Sequence, residues 1–235
     1  MTPDGKTALA LLASAGLLLG TAACSSSGGP AAPSGGAKLS YPALRTTVQG
    51  VGPNPSSCPF GIDLPAALKA SGTERAVAPD SGKDQPVRAE VVPPEGAYPL
   101  PSGVTPTPSM ASIPARPEHL QVWCSYTAGT TPLEIGVIVA PAERIAVNLA
   151  LPYIQQAGRL SPDQLVKAST DQPAPGEART TPGGASVGIA RLPVTDKGDL
   201  ALIVSQGTDA TSPDPALTGE PLRRLAETLA GQLHS

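Results

Sequence analysis

The stretch best able to do chemistry in this chain is GASVG, Gly184 to Gly188. It fits G-x-S-x-G, in which a serine stands on a sharp strand-to-helix turn, and it offers Ser186 as a nucleophile. Several aspartates and then His234 follow, giving the order serine, acid, histidine that an activated serine can use. The setting argues otherwise. Ser186 comes after TPGG and opens a strand-like run containing Pro193, and His234 is the penultimate residue, where a base is poorly held. A surface serine hydrolase acting through Ser186 is therefore the alternative function and not the first.

The remaining titratable inventory is thin. His119, the only other histidine, lies between a proline-rich stretch and Leu120 and reads as a surface polar residue. Asp209 and Asp214, in GTDATSPDPALTGE, lack the spacing of a calcium loop and read as solvated turn residues. The patterns of zinc proteases, phosphate-binding loops, dinucleotide folds and dithiol redox sites do not occur. Acid–base catalysis needs positioned His, Glu or Asp, so no catalytic, metal or cofactor residue is assigned and a non-catalytic role is expected.

The elements that must position these residues are legible in part. FGIDLPAALKASG predicts a short helix with Asp63 as cap, Pro65 in its first turn and Gly72 at its end. ERAVAP and PVRAEVVPP predict short strands, and residues 93–117, with eight prolines, predict an extended loop. LQVWCSY and LEIGVIVA are strand sequences rich in Val, Ile and aromatics. In PAERIAVNLALPYIQQAG, Ile145, Val147, Leu149 and Leu151 alternate, yet Pro141 and Glu143 open it as a helix; a helix is expected in spite of Pro152. SPDQLVKAS predicts a helix capped by Ser161. ASVGIARLPV and GDLALIVSQG predict a hairpin through TDKG, and Leu222, Leu225, Leu229 and Leu233 form the stripe of a terminal helix. Hairpins flanked by helices predict one α+β domain over 41–235, a mostly antiparallel sheet with helices packed on one face.

Composition narrows the partners. The 235 residues include 29 Pro and 25 Gly and only 3% aromatics, so the core must come from Leu, Val, Ile and Ala. The net charge is -3 and the nearest thing to a basic cluster is Arg223–Arg224. Neither nucleic acid nor a polybasic grip on anionic lipid is expected from such a chain.

Residues 7–20, TALALLASAGLLLG, are apolar or small and uncharged. As a helix they would span about 21 Å, short of a bilayer core but right for the apolar region of a signal peptide. Thr21, Ala22, Ala23 and Cys24 follow, and TAAC resembles the lipobox of bacterial lipoproteins, with Thr21 where that family usually has Leu. The resemblance implies cleavage after residue 23, acylation of Cys24, and anchoring at the extracytoplasmic face of the cell membrane, two acyl chains being enough for stable attachment. Residues 24–40 then read as the lipidated cysteine and a Ser/Gly/Pro tether, of which the fourteen residues 25–38 would span about 20 Å end to end as a coil.

Export makes pairing the expectation for Cys58 and Cys124, the alternative being two reduced buried thiols. With leader, TAAC, tether, Cys58 and the WCSY strand together, the chain resembles actinobacterial envelope lipoproteins, which implies a small α+β domain with one disulfide. An envelope protein or a small ligand is the expected partner, beside membrane lipid at Cys24. TPTPS, Thr105 to Ser109, has the composition of glycosylated stalks, against the plainer reading of a loop.

Overall fold

The computed structural model describes residues 39–53, 55, 57–95, 116–184, 186–195, 197–208 and 212–234. The leader, Cys24 and nearly all of the tether lie outside the described residues, as do 96–115 of the proline-rich stretch, Thr105–Ser109 among them. Among the described residues the strands are β1 (Val77–Pro79), β2 (Val87–Val92), β3 (His119–Ala128), β4 (Thr131–Ala140), β5 (Ala178–Thr180), β6 (Val187–Pro193) and β7 (Asp199–Ser205). The α-helices are α1 (Tyr41–Gln49), α2 (Leu64–Ala70), α3 (Ala146–Gly158), α4 (Pro162–Thr170) and α5 (Gly219–Gln232). None of them is long and apolar enough to cross a membrane.

The strands form one antiparallel sheet in the order β1-β3-β4-β7-β6-β5, with β2 also paired to β3. This is the expected α+β class. The helices, expected on one face, cover both. β4 and β7 explain why, because their interior residues are buried on either side of the sheet. Runs such as VIVA and LALIV bury continuously, as strands between two layers do, where a half-exposed strand would alternate. On one face Leu120, Val122, Ile135, Val137, Leu200 and Leu202 meet α1, α2 and α5. On the other, Ile138, Ala201 and Ile203 meet Ala146, Val147, Ala150 and Ile154 of α3.

Local chemistry sets the helix boundaries. The Asp63 carboxylate accepts from Ala66 N at 3.0 Å and Pro65 sits in the first turn of α2, while Gly72 takes φ +83° just beyond it. Ser161 and Gln164 form a reciprocal capping box on α4. The 141–144 stretch is not helical; Arg144 takes φ +61° and α3 begins at Ala146. Its first N–H is held from another element, by Asp199 Oδ2 of β7 at 2.9 Å. Pro152 lies inside α3 on its exposed side, where the carbonyl it leaves free faces water.

The folded unit begins two residues before the expected boundary. Leu39 is buried, and its carbonyl accepts from Thr195 N at 2.8 Å, so Leu39 and Ser40 belong to the domain and not to the tether. Ser40 then caps α1, a helix that the sequence reading passes over. Leu44 and Val48 of α1 enter the core. Glu118 ties α1 to the start of β3, accepting from Tyr41 OH at 3.1 Å and Arg45 Nη2 at 3.3 Å. Burial, with the Glu118 carboxylate beside it, pushes the Tyr41 phenol up to about 12.

Cys58 and Cys124 are joined, with Cα atoms 5.8 Å apart. Cys124 is in the middle of β3 and Cys58 in the segment leading to α2, both buried in the core shared with α5. The bond thus fastens the N-terminal helices to the sheet.

Candidate functional site

The sequence-derived nucleophile does not meet a base. Ser186 is buried just before β6 and is followed by strand, not helix. His234 lies over Gly61, its main-chain N–H donating to Phe60 O and its ring Nδ1 2.9 Å from Gln232 O. Leu222, near the other end of α5, is what packs over Gly188. The helix from Leu222 to Leu233 rises about 16 Å, so His234 is held at the far end of α5 from the strand Ser186 begins. His119 is not a surface residue. It is 4% exposed, with Nδ1 3.0 Å from Pro117 O and Nε2 2.8 Å from the Gln121 amide. A proton on Nδ1 satisfies both bonds and leaves Nε2 as acceptor.

Asp214 also departs from the expected solvated turn. It caps a single 3-10 turn at Pro215–Leu217, pairs with the Arg75 guanidinium and accepts from Thr131 Oγ1 at 2.9 Å. The Arg75 bond is the main reason its carboxyl is held down at about 2. Gln206 completes the anchorage: its amide accepts from Asp214 N and donates to the carbonyls of Asp214 and Leu217.

What does converge is a polar cluster at the sheet end where β4, β7 and α3 meet. Tyr153 OH donates to Glu134 Oε2 at 2.6 Å and lies 2.5 Å from Ser205 Oγ. A phenol has one proton, so the Ser205 hydroxyl donates to Tyr153 and accepts from Gly207 N at 3.1 Å. Glu134 Oε1 is 3.4 Å from Lys83 Nζ. Burial first, and the Glu134 carboxylate second, hold the Tyr153 phenol protonated well above the ordinary phenol range. The cluster is a closed chain of donors and acceptors, suited to fixing Gly207 and the end of β7.

Gly207 is also a wall of a cleft of about 350 Å³, with Ser186, Gln206, Gly158, Arg159 and Gln164 around it. That volume is at the small end of ligand sites. Ala157 and Pro213 complete its walls, so polar and apolar groups share the lining, and Ser186 stands among them with no histidine beside it.

No family model, curated protein or solved structure matches the chain. The site therefore rests on its own geometry. Among the described residues no group of three or more His, Cys, Asp or Glu is placed to hold a metal ion.

The wall of the cluster opposite Ser205 is aromatic. Trp123, the one tryptophan of the chain, stacks at 4.2 Å between ring centroids on Tyr153, tilted 44°. Its six-membered ring lies against Gly136 on the neighbouring strand, where a Cβ would overlap it. Gly136→Ala is therefore expected to displace the indole, to shift tryptophan emission to the red and to destabilise the domain by about 1–3 kcal/mol, as overpacking does. Emission and melting temperature unchanged from the parent would show that the ring does not rest on Gly136.

Nothing in the linear spacing announces Glu134, Tyr153 and Ser205 as partners. The one signal is that a glutamate, a tyrosine and a serine interrupt otherwise apolar elements, and a buried polar group needs a partner.

Proposed function

We propose that this chain is a lipid-anchored extracytoplasmic binding domain, acylated at Cys24 and non-catalytic, that presents the cleft beside Ser186 and Gly207 to a small polar ligand or an envelope partner. The observation that carries the reading is the division of labour among the three cysteines. Cys58 and Cys124 form a disulfide, which suits a compartment outside cytosolic reductants. Cys24 stands apart from them, directly after an apolar run and two alanines.

The point of attachment supports it. The chain enters the domain at Leu39, beside Thr195 in the β6–β7 turn. Ser186, Gln206 and Gly207 lie at the other end of those strands, about 20 Å away at strand rise. Leu39, where the described domain begins, and the cleft thus stand at opposite ends of the β6–β7 hairpin. The separation of Ser186 from His234 favours binding over hydrolysis.

The test is cell fractionation with metabolic labelling by a palmitate analogue. The parent is expected in the membrane fraction and labelled, and Cys24→Ala soluble or retained as unprocessed precursor without label. A Cys24→Ala protein that keeps its label sinks the proposal.

A further inference from the structure

β2 closes one side of the sheet, pairing antiparallel with β3 from Val87↔Cys124 to Val92↔His119. Its other side pairs with no strand among the described residues. The bond from Ser125 N to Pro86 O, 2.7 Å, sets the phase of the ladder. Counting by twos from that pair, Arg88 and Glu90 turn their main-chain groups to β3, and Val87, Ala89 and Val91 turn theirs outward. Three N–H donors and three carbonyls thus face away from the sheet in a row. Unpaired edge groups of this kind are a template for another strand.

A cleft of about 400 Å³ follows this edge. Val51, Gly52 and Pro53 wall it, Val87 and Ala89 line it from one face of the sheet, and Arg88, Glu90 and Trp123 from the other. A groove lined from both faces at once has the shape of a slot for an added strand.

We propose that β2 of a second copy of this chain fills the slot, antiparallel, about a two-fold axis through Ala89. The outward groups permit pairing only between odd-numbered residues, which leaves three central registers. Pairing 87 with 89 sets Arg88 against Arg88 of the partner, and pairing 89 with 91 sets Glu90 against Glu90. Pairing 89 with 89 sets Arg88 against Glu90 on both sides of the axis, with Val87 opposite Val91. Like charges directly opposite destabilise a ladder and opposite charges stabilise it, so the sequence VRAEVV selects the two-fold register. Both side chains are exposed and free to meet the partner. The result is an isologous dimer whose sheets run on into each other, joined by a short edge and therefore weak.

The test is sedimentation equilibrium of the full chain in detergent over a concentration series. The parent is expected to pass from monomer to dimer. R88E and E90R each place like charges across the axis and are expected to weaken the dimer about tenfold or more. Mixed in equal amounts, those two variants restore both ion pairs and are expected to dimerise again. A89P removes one outward donor and leaves the β2–β3 bonds intact, so it too is expected to be monomeric, with an unchanged circular dichroism spectrum. A parent that is monomeric throughout, a dimer that survives R88E and E90R, or a mixture that stays monomeric overturns the proposal.

Discussion

Arg191→Met is expected to lower the stability of the domain by about 3–5 kcal/mol, because it strands a buried carboxylate. Arg191 on β6 and Asp199 on β7 are 5% and 2% exposed. The guanidinium Nε and Nη2 both donate to Asp199 Oδ1, at 3.0 and 2.8 Å, and Nη1 donates to Pro173 O at 3.0 Å. Asp199 Oδ2 takes the first N–H of α3. One ion pair therefore holds the hairpin, the segment before β5 and the start of α3 together. For a domain of this size the loss corresponds to a fall of roughly 6–20 °C in melting temperature.

The companion variant separates the pair from the cap. Arg191→Met with Asp199→Leu removes both charges, and most of the loss is expected to return, since a buried pair exchanged for apolar groups is often close to neutral. What does not return is the cap on α3, about 0.5–2 kcal/mol. Calorimetry of the two single variants and the double variant closes the cycle. A double variant as unstable as the sum of the singles would show that the two side chains act independently.

The second large effect belongs to the disulfide. Sixty-six positions separate Cys58 from Cys124, and releasing a loop of that length is expected to cost about 4 kcal/mol in the chain-entropy model. Urea unfolding with and without reductant, and of Cys58→Ala with Cys124→Ala, should show the same drop in midpoint. Alkylation of the folded chain should modify neither cysteine until reductant is added. A midpoint indifferent to reductant would mean that the bond does not constrain the unfolded chain.

Local signals proved readable where the cause is local. Asp63 with Pro65, the Ser161 cap, and Leu222, Leu225 and Leu229 of α5 each act within a turn or two of helix, and each stands where the sequence puts it, while Leu233 falls just past the helix as its C-cap. The β6–β7 hairpin and the β3–β4 hairpin are legible for the same reason. What escaped depends on contacts between distant residues. α1 is short and weakly apolar, and it is held by Glu118, far along the chain. β5 has three residues and exists because β6 is beside it. His119 looked like a surface residue because nothing nearby in sequence shows that it is buried. The two-sided burial of the sheet was signalled by the unbroken apolar runs of β4 and β7, read only as strands. The cluster of Glu134, Tyr153 and Ser205 draws on three elements at once and has no one-dimensional trace.

The joint between Cys58 and Cys124 also decides how the molecule bears load. A pull on the N-terminal end first meets the short parallel bridge of Leu39 and Ser40 to Thr195, then peels α1 away from β2, β3 and β4. The peeling stops at Cys58. Beyond that point tension passes covalently into the middle of β3, the strand flanked by β1, β2 and β4. The sheet is thereby loaded through its interior and not unzipped from an edge, and only residues 39–57 act as a yielding section.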